Sequence, residues 1–295
     1  MTLAAEAFER GLTVHEGGAA AVPWAPAPAT ISAGFPQGSR RPIALAAFAY
    51  WLVFYGTFAL YVRGVVSPYV FATFGLFVFI RYFDMTHEEM HRRQRDHRAW
   101  DVLRRVFSVS GPLQLGYTQL AHNHRLHHGY EGTERDPDLW IMRASIPVAV
   151  LHCLTQPEQA VVRYVRANGV DRRLAFDLTL HFAAWIGLAC VCTWQQFLLY
   201  NLVVRAGNGV SWFVFTHVLH RASVYRDFGA VAVPAWLRAA WIVLIGRNNL
   251  NAITFHFLHH AYGFVPGPRL PELSALLTAP AGRAQSGVYP RVRRG

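Results

Sequence analysis

Three short stretches of this chain concentrate imidazole in a pattern suited to metal binding. His87-Glu88-Glu89-Met90-His91 spaces two histidines four apart. His124-Arg125-Leu126-His127-His128 and His256-Phe257-Leu258-His259-His260 each place three histidines within five residues. A fourth cluster, Thr216-His217-Val218-Leu219-His220, closes an apolar run. Residues three or four apart share a helix face, so HxxxH and HxxHH each aim two or three rings at one point. The three boxes supply eight histidines, and the fourth cluster adds one or two. One zinc site needs only three or four protein ligands, so eight to ten imidazoles suit two metals better. Imidazole serves iron, zinc, copper and nickel, and ligand type alone does not choose among them.

Two other readings of the same residues stay open at this point. The first box also fits HExxH, the zinc protease motif, with Glu88 as general base. That reading leaves the second and third boxes unexplained, because a protease needs only one further ligand. A non-catalytic metal-handling membrane protein would not need its ligands at helical spacing. The three cysteines, Cys153, Cys190 and Cys192, form no CxxC, and two lie in an apolar run. A disulfide scaffold and a cysteine metal site are therefore both disfavoured.

The elements that must carry these boxes are apolar. Hydrophobic residues make up 53% of the 295, and only 15% are charged, against about 25% in soluble domains. Ile43 to Val62 is free of charge and long enough as a helix to cross a ~30 Å hydrocarbon core. Gly64 to Ile80 is a shorter second run containing Pro68. Leu174 to Trp194 and Gln195 to Phe215 make a second pair, interrupted by Asp177, His181, Arg205 and Asn208. Ionisable groups at that depth usually face a protein interior, and Asp177, His181 and Arg205 are expected to form one buried polar cluster.

The expected fold is an all-α membrane protein with about four transmembrane helices in two hairpins and a cytoplasmic helical cap holding the boxes. Residues 1–40, rich in Ala, Gly and Pro, read as a flexible tail, and no cleaved signal peptide is visible. Residues 41–278 form the membrane domain and 279–295 a basic tail. All 28 basic residues are Arg, and the net charge is +11. Many of them crowd residues 81–173, whereas the two outer turns hold only Arg63. The positive-inside rule then makes both termini and every box cytoplasmic. Nucleic acid is a poor partner for this charge, since the Arg residues flank apolar runs without a nucleic-acid motif. The Arg clusters at 92–98, 163–173 and 291–294 suit lipid headgroups, an acyl carrier protein or coenzyme A, or simply record topology.

HxxxH, then HxxHH about thirty residues later, then a membrane hairpin, then HxxHH resembles the membrane fatty acid desaturase superfamily, which includes bacterial carotenoid ketolases and hydroxylases. The second box runs on to Asp136-Pro137-Asp138, and the third to a Pro-rich stretch ending at Pro271, both similar to that family. The first box is close to the HDAMH type of the ketolases. The resemblance spans roughly residues 40–275.

It implies a non-haem di-iron enzyme, two iron ions, O2 as co-substrate, and an aliphatic chain that is desaturated or hydroxylated. A fatty acyl group is the first substrate expected and a carotenoid the alternative. It further implies a separate electron donor of ferredoxin, cytochrome b5 or rubredoxin type with its reductase, because no HPGG or ferredoxin cysteine set is present. The implied metal ligands are His87, His91, His124, His127, His128, His256, His259 and His260. His217 or His220 would add one more, with His217 slightly preferred. Asp136 and Asp138 are candidate carboxylate partners of ligating imidazoles, or turn and cap residues around Pro137. His122 is read as lying just behind the ligands, and His97, His152 and His181 as structural. Glu88 and Glu89 are read either as partners of ligands or as solvent-facing.

Overall fold

The computed structural model describes residues 31, 32, 34, 35, 41–91, 98–221 and 233–278. The C-terminal tail, the N-terminal tail apart from residues 31, 32, 34 and 35, residues 92–97 of the first Arg cluster, the Arg cluster at 291–294, and His97 lie outside the described residues. The chain divides into two compact units, one built on Ser39–Ala222 and the other mainly on Ser223–Gly295 with part of Ala20–Gly38. All regular structure among the described residues is helical.

In the larger unit, α1 (Arg41–Val62) and α2 (Pro68–Met90) form the first hairpin. Gly64 turns the chain at φ +73°, a conformation that costs any residue with a Cβ. Ser67 then caps α2 by accepting from the Val70 amide at 3.3 Å, with Pro68 in the first turn where it loses no bond. The two helices interlock through aromatic rings, with Tyr61 stacked on Phe71 at 5.2 Å and Phe54 edge-on to Phe79 at 5.4 Å. The second apolar run does not stop near Ile80 as its composition suggests. Its helix continues ten residues to Met90, so the first histidine box rides on the end of a membrane-length helix.

Short helices follow: α3 (Arg98–Val106), α4 (Tyr117–Tyr130), α5 (Leu139–Met142), α6 (Ile146–Leu154) and α7 (Gln156–Asn168). The second hairpin is α8 (Arg172–Val191) and α9 (Trp194–Trp212). Asp171 caps α8, and a reciprocal Thr193–Gln196 capping box starts α9. Gln196 also donates to the Val62 carbonyl at 3.1 Å, tying the start of α9 to the end of α1. A Cβ on Gly207 would stand 2.4 Å from Phe79 Cδ1, so glycine lets α9 press against α2. Beyond Trp212 the chain widens into a π-helix, Phe213–Val218.

Among the described residues, three helices, α1, α2 and α8, are long and apolar enough to cross a membrane. Little of α1 or α8 is covered by protein, and Leu52, Leu60, Phe176 and Ile186 face outward. The expected fourth span, α9, is 19 residues long but is not among them, because polar residues interrupt it. Arg205 and Asn201 among them have partners. Arg205 pairs with Glu158 of α7 and donates to the Leu154 carbonyl, and Asn201 accepts from Trp185 Nε1 at 2.9 Å. The expected Asp177–His181–Arg205 cluster is therefore split. Asp177 and His181 are buried, and Asp177 faces Arg105 at 3.4 Å instead.

In the smaller unit, α10 (Ala235–Thr254) breaks at Gly246, whose φ is 81°. It leads into α11 (His256–Ala261) and, after a 3-10 turn at Gly267–Arg269, into α12 (Leu270–Thr278). Its core holds Phe35, Leu258, Tyr262, Val265, Leu270 and Leu273. The Pro-rich stretch after the third box makes this turn, with Asn251 donating to the Gly267 carbonyl at 3.1 Å.

Candidate metal centre

In the larger unit, the last turn of α2 presents His87 and His91, and α4 presents His124, His127 and His128. The rings converge. His87 and His91 each lie 4.7 Å from His124, and His128 lies 4.7 Å from His91 and 4.6 Å from His124. His87, His91 and His124 each offer a nitrogen within 4.8 Å of the others. His91 Nε2 and His124 Nε2 stand 2.8 Å apart.

The π-helix and the turn after it add His217 and His220, and their partners distinguish them. His220 Nδ1 donates to the Thr216 carbonyl at 2.8 Å, which leaves Nε2 as the lone-pair nitrogen. That Nε2 faces His127 Nε2 at 3.2 Å and Glu131 at 3.6 Å. His217 Nδ1 instead donates to the Ile141 carbonyl at 2.9 Å, and its ring stacks on Phe213. Its buried Nε2 has no hydrogen-bond partner. The structure thus brings His220, the less favoured of the two, into the imidazole group of α4.

His127 is held from behind. Its Nδ1 donates to Asp136, 3.0 Å from Oδ1, and Asp138 lies 3.9 Å away. The Gly132 and Asp138 amides also donate to Asp136, at 2.9 and 2.8 Å, so this carboxylate is fixed before any ligand arrives. His127 and His220 therefore direct two lone pairs at each other across 3.2 Å, which is repulsive unless a proton or a cation lies between them. Two nitrogens bound at about 2.0–2.1 Å to one ion stand roughly 2.9–3.4 Å apart at angles of ~90–110°. The His127–His220 separation falls in that range, and the His91–His124 separation lies at its short edge. The donor set fits a metal.

In the smaller unit, α11 carries the third box. His256 and His260 pack with ring centroids 4.4 Å apart, and His259 lies 5.8 Å from His260. All three are buried.

Among known families, the model described as fatty acid desaturase matches residues 63–290, which takes in all three boxes and the cluster at 216–220. The chain belongs to the fatty acid desaturase family. No curated protein and no solved structure matches it. It is thus a fatty-acid-desaturase-like oxidase with membrane-length helices. The match accounts for the second and third boxes, which the protease motif does not.

The electrostatics of this desaturase-family chain follow from its geometry. Burial alone would lower the pKa of His127, but the Asp136 charge and hydrogen bond prevail and raise it to about 9. Burial pushes His220 down to about 3, and the neighbouring His127 charge adds to this. Burial raises Asp138 to about 7 against the pull of His127. Asp136, though buried, is held below the usual carboxylate range by His127 and the two amides. Without a metal, one proton is thus concentrated on His127, at the place a cation would take.

Other residues singled out by type fall elsewhere. His122 is half-buried with its ring 6.3 Å from Tyr164 of α7, on the opposite side of α4 from the imidazole group. His152 donates to the Trp140 carbonyl at 3.1 Å. Glu89 is fully buried and pairs with Arg104 of α3 at 2.9 Å, so it does not face solvent. Arg104 also reaches Thr86 at 3.1 Å and lies over the Tyr117 ring at 4.5 Å. This buried clamp and Glu131 were missed from the sequence. Glu131 had a local signal, since it follows the second box by three residues and caps the end of its helix. Arg104 had none, since fifteen residues separate it from Glu89.

Proposed function

We propose that this chain is an O2-dependent membrane oxidase that holds two iron ions on its histidine boxes and desaturates or hydroxylates an aliphatic chain, foremost a fatty acyl group. The observation that carries the metal reading is the facing pair of Nε2 atoms of His127 and His220, held 3.2 Å apart by Asp136 and the Thr216 carbonyl, a spacing that suits two ligands of one ion. The proposed ligands are His87, His91, His124, His127, His128 and His220 of the larger unit and His256, His259 and His260 of the smaller. Iron supplies the one-electron chemistry that O2 activation needs and that zinc lacks. Electrons come from a separate donor of ferredoxin, cytochrome b5 or rubredoxin type.

The protein's own part is positional. Asp136 fixes the tautomer of His127, Thr216 that of His220, and the Arg104–Glu89 pair holds α3 against the turn of α2 that bears box one. In this reading the site lies beside the bilayer that dissolves its substrate, with boxes and termini on the cytoplasmic side, which the arginine bias supports. Metal analysis of the purified chain tests this: two irons per chain are expected, and one zinc without iron would overturn it. His128→Ala should abolish oxidation. Products formed in a host supplied with acyl chains or with carotenes then assign the substrate.

A further inference from the structure

Within the larger unit, a cavity of about 70 Å³ lies between α2, α7, α9 and the segment leading into α4. One wall is formed by Thr86 and Met90, which flank His87 on α2. Phe79, Phe83, Leu120 and Trp212 make it largely apolar, and no lining residue carries a charge.

Most of its polar groups are already engaged. Ser110 donates to Gln114 Oε1 at 2.6 Å, Gln114 donates to the Ser108 carbonyl, and Tyr82 donates to the Phe107 carbonyl at 2.8 Å. Two are not. Asn208 of α9 and Gln156 of α7 are 9% and 5% exposed, and their side-chain amides have no hydrogen-bond partner among the described residues. An unpaired buried amide costs about 1–3 kcal/mol. Asn208, moreover, sits in the apolar second hairpin, where composition alone would place an aliphatic residue.

An amide both donates and accepts but carries no charge. It matches a hydroxyl or carbonyl oxygen, whereas a carboxylate or phosphate would be buried here without a countercharge. We infer that this cavity binds the uncharged, oxygen-bearing end of an apolar substrate, with Asn208 and Gln156 hydrogen-bonding the oxygen and the aromatic wall packing the first few carbons beside it, the only part that about 70 Å³ admits. The substrate class is then a long-chain alcohol, ketone or ester, and not a free fatty acid. This rests on the oxidase reading and adds its substrate class.

The test separates the two. Full-length chain in nanodiscs, with its iron content measured, is photolysed with a long-chain alcohol bearing a diazirine, and adducts are mapped by peptide mass spectrometry. Labelling needs no turnover, so it reports on the cavity even if the iron reading fails. Adducts are expected on the α2 and α9 segments that line the cavity. 1-Dodecanol and 2-dodecanone should compete, and dodecane and dodecanoate should not. Asn208→Leu and Gln156→Leu should each cut labelling about tenfold, the loss of one buried hydrogen bond, while iron content stays at the wild-type level. Adducts outside the cavity, equal competition by dodecanoate, or undiminished labelling in both variants would overturn the inference.

Discussion

His127 and His220 show how little of a site's chemistry lies in residue type alone. Three other histidines accompany them in the second box and the cluster at 216–220, yet backbone and carboxylate partners decide which nitrogen points where. His220 offers Nε2 to the imidazole group, whereas His217 is anchored to α5 through Nδ1 on the Ile141 carbonyl. Under the di-iron reading, His220→Ala should lower the iron-to-protein ratio, measured by plasma mass spectrometry, while His217→Ala keeps it. The reverse pattern would move the ligand to His217. The Asp136 contact makes a second forecast, for metal-stripped protein. A histidine whose pKa is raised on folding stabilises the fold fully below its unfolded value of ~6.5, and this is lost as pH rises through the folded value. For His127 that value is about 9. Melting temperatures between pH 6 and 10 should therefore fall with rising pH, by an amount on the order of 3 kcal/mol at most. Asp136→Asn should remove most of that slope, and equal slopes in both proteins would refute the pairing.

At the level of elements, the apolar runs located α1, α8 and α9 to within a few residues, because hydropathy is a local property, but missed the last ten residues of α2, where the chain turns polar while still helical. The histidine spacing likewise placed the boxes on helices. Helix partners were not legible in the same way. Arg205 suggested a link to Asp177 along the second hairpin, but α7 lies alongside α9 and Glu158 claims it. The Arg104–Glu89 clamp joins α3 to α2 between positions fifteen apart in the chain, and no local pattern distinguishes Arg104 from the neighbouring arginines. Removing one member of a fully buried ion pair costs about 3–5 kcal/mol, whereas replacing both by apolar residues of similar volume is often neutral. Arg104→Ala should accordingly lower the thermal midpoint sharply, and the Arg104→Met, Glu89→Met double variant should recover most of the loss. Recovery of stability without recovery of iron content would show that the clamp also orients box one.

For the whole molecule, the question is which way the helices run through the bilayer. Three helices are apolar enough to cross, and arginine crowds the segment between the hairpins, so the α8–α9 turn should lie on the face opposite the boxes. Cys190 is exposed at the end of α8, and Ser145, just before α6, lies in the arginine-rich segment. α9 matters most here, since its polar residues keep it below the apolarity of the other spans. If α9 nevertheless crosses, the start of α1 at Arg41 and the end of α9 at Trp212 share one face. A membrane-impermeant maleimide applied to intact cells should then modify Cys190 in the native chain. In a variant with all three cysteines replaced by serine, a cysteine at Ser145 should react only after permeabilisation. Labelling of Ser145→Cys in intact cells would invert the topology. Failure of Cys190 to react until permeabilisation would mean that α8 does not cross the bilayer, leaving a single spanning hairpin.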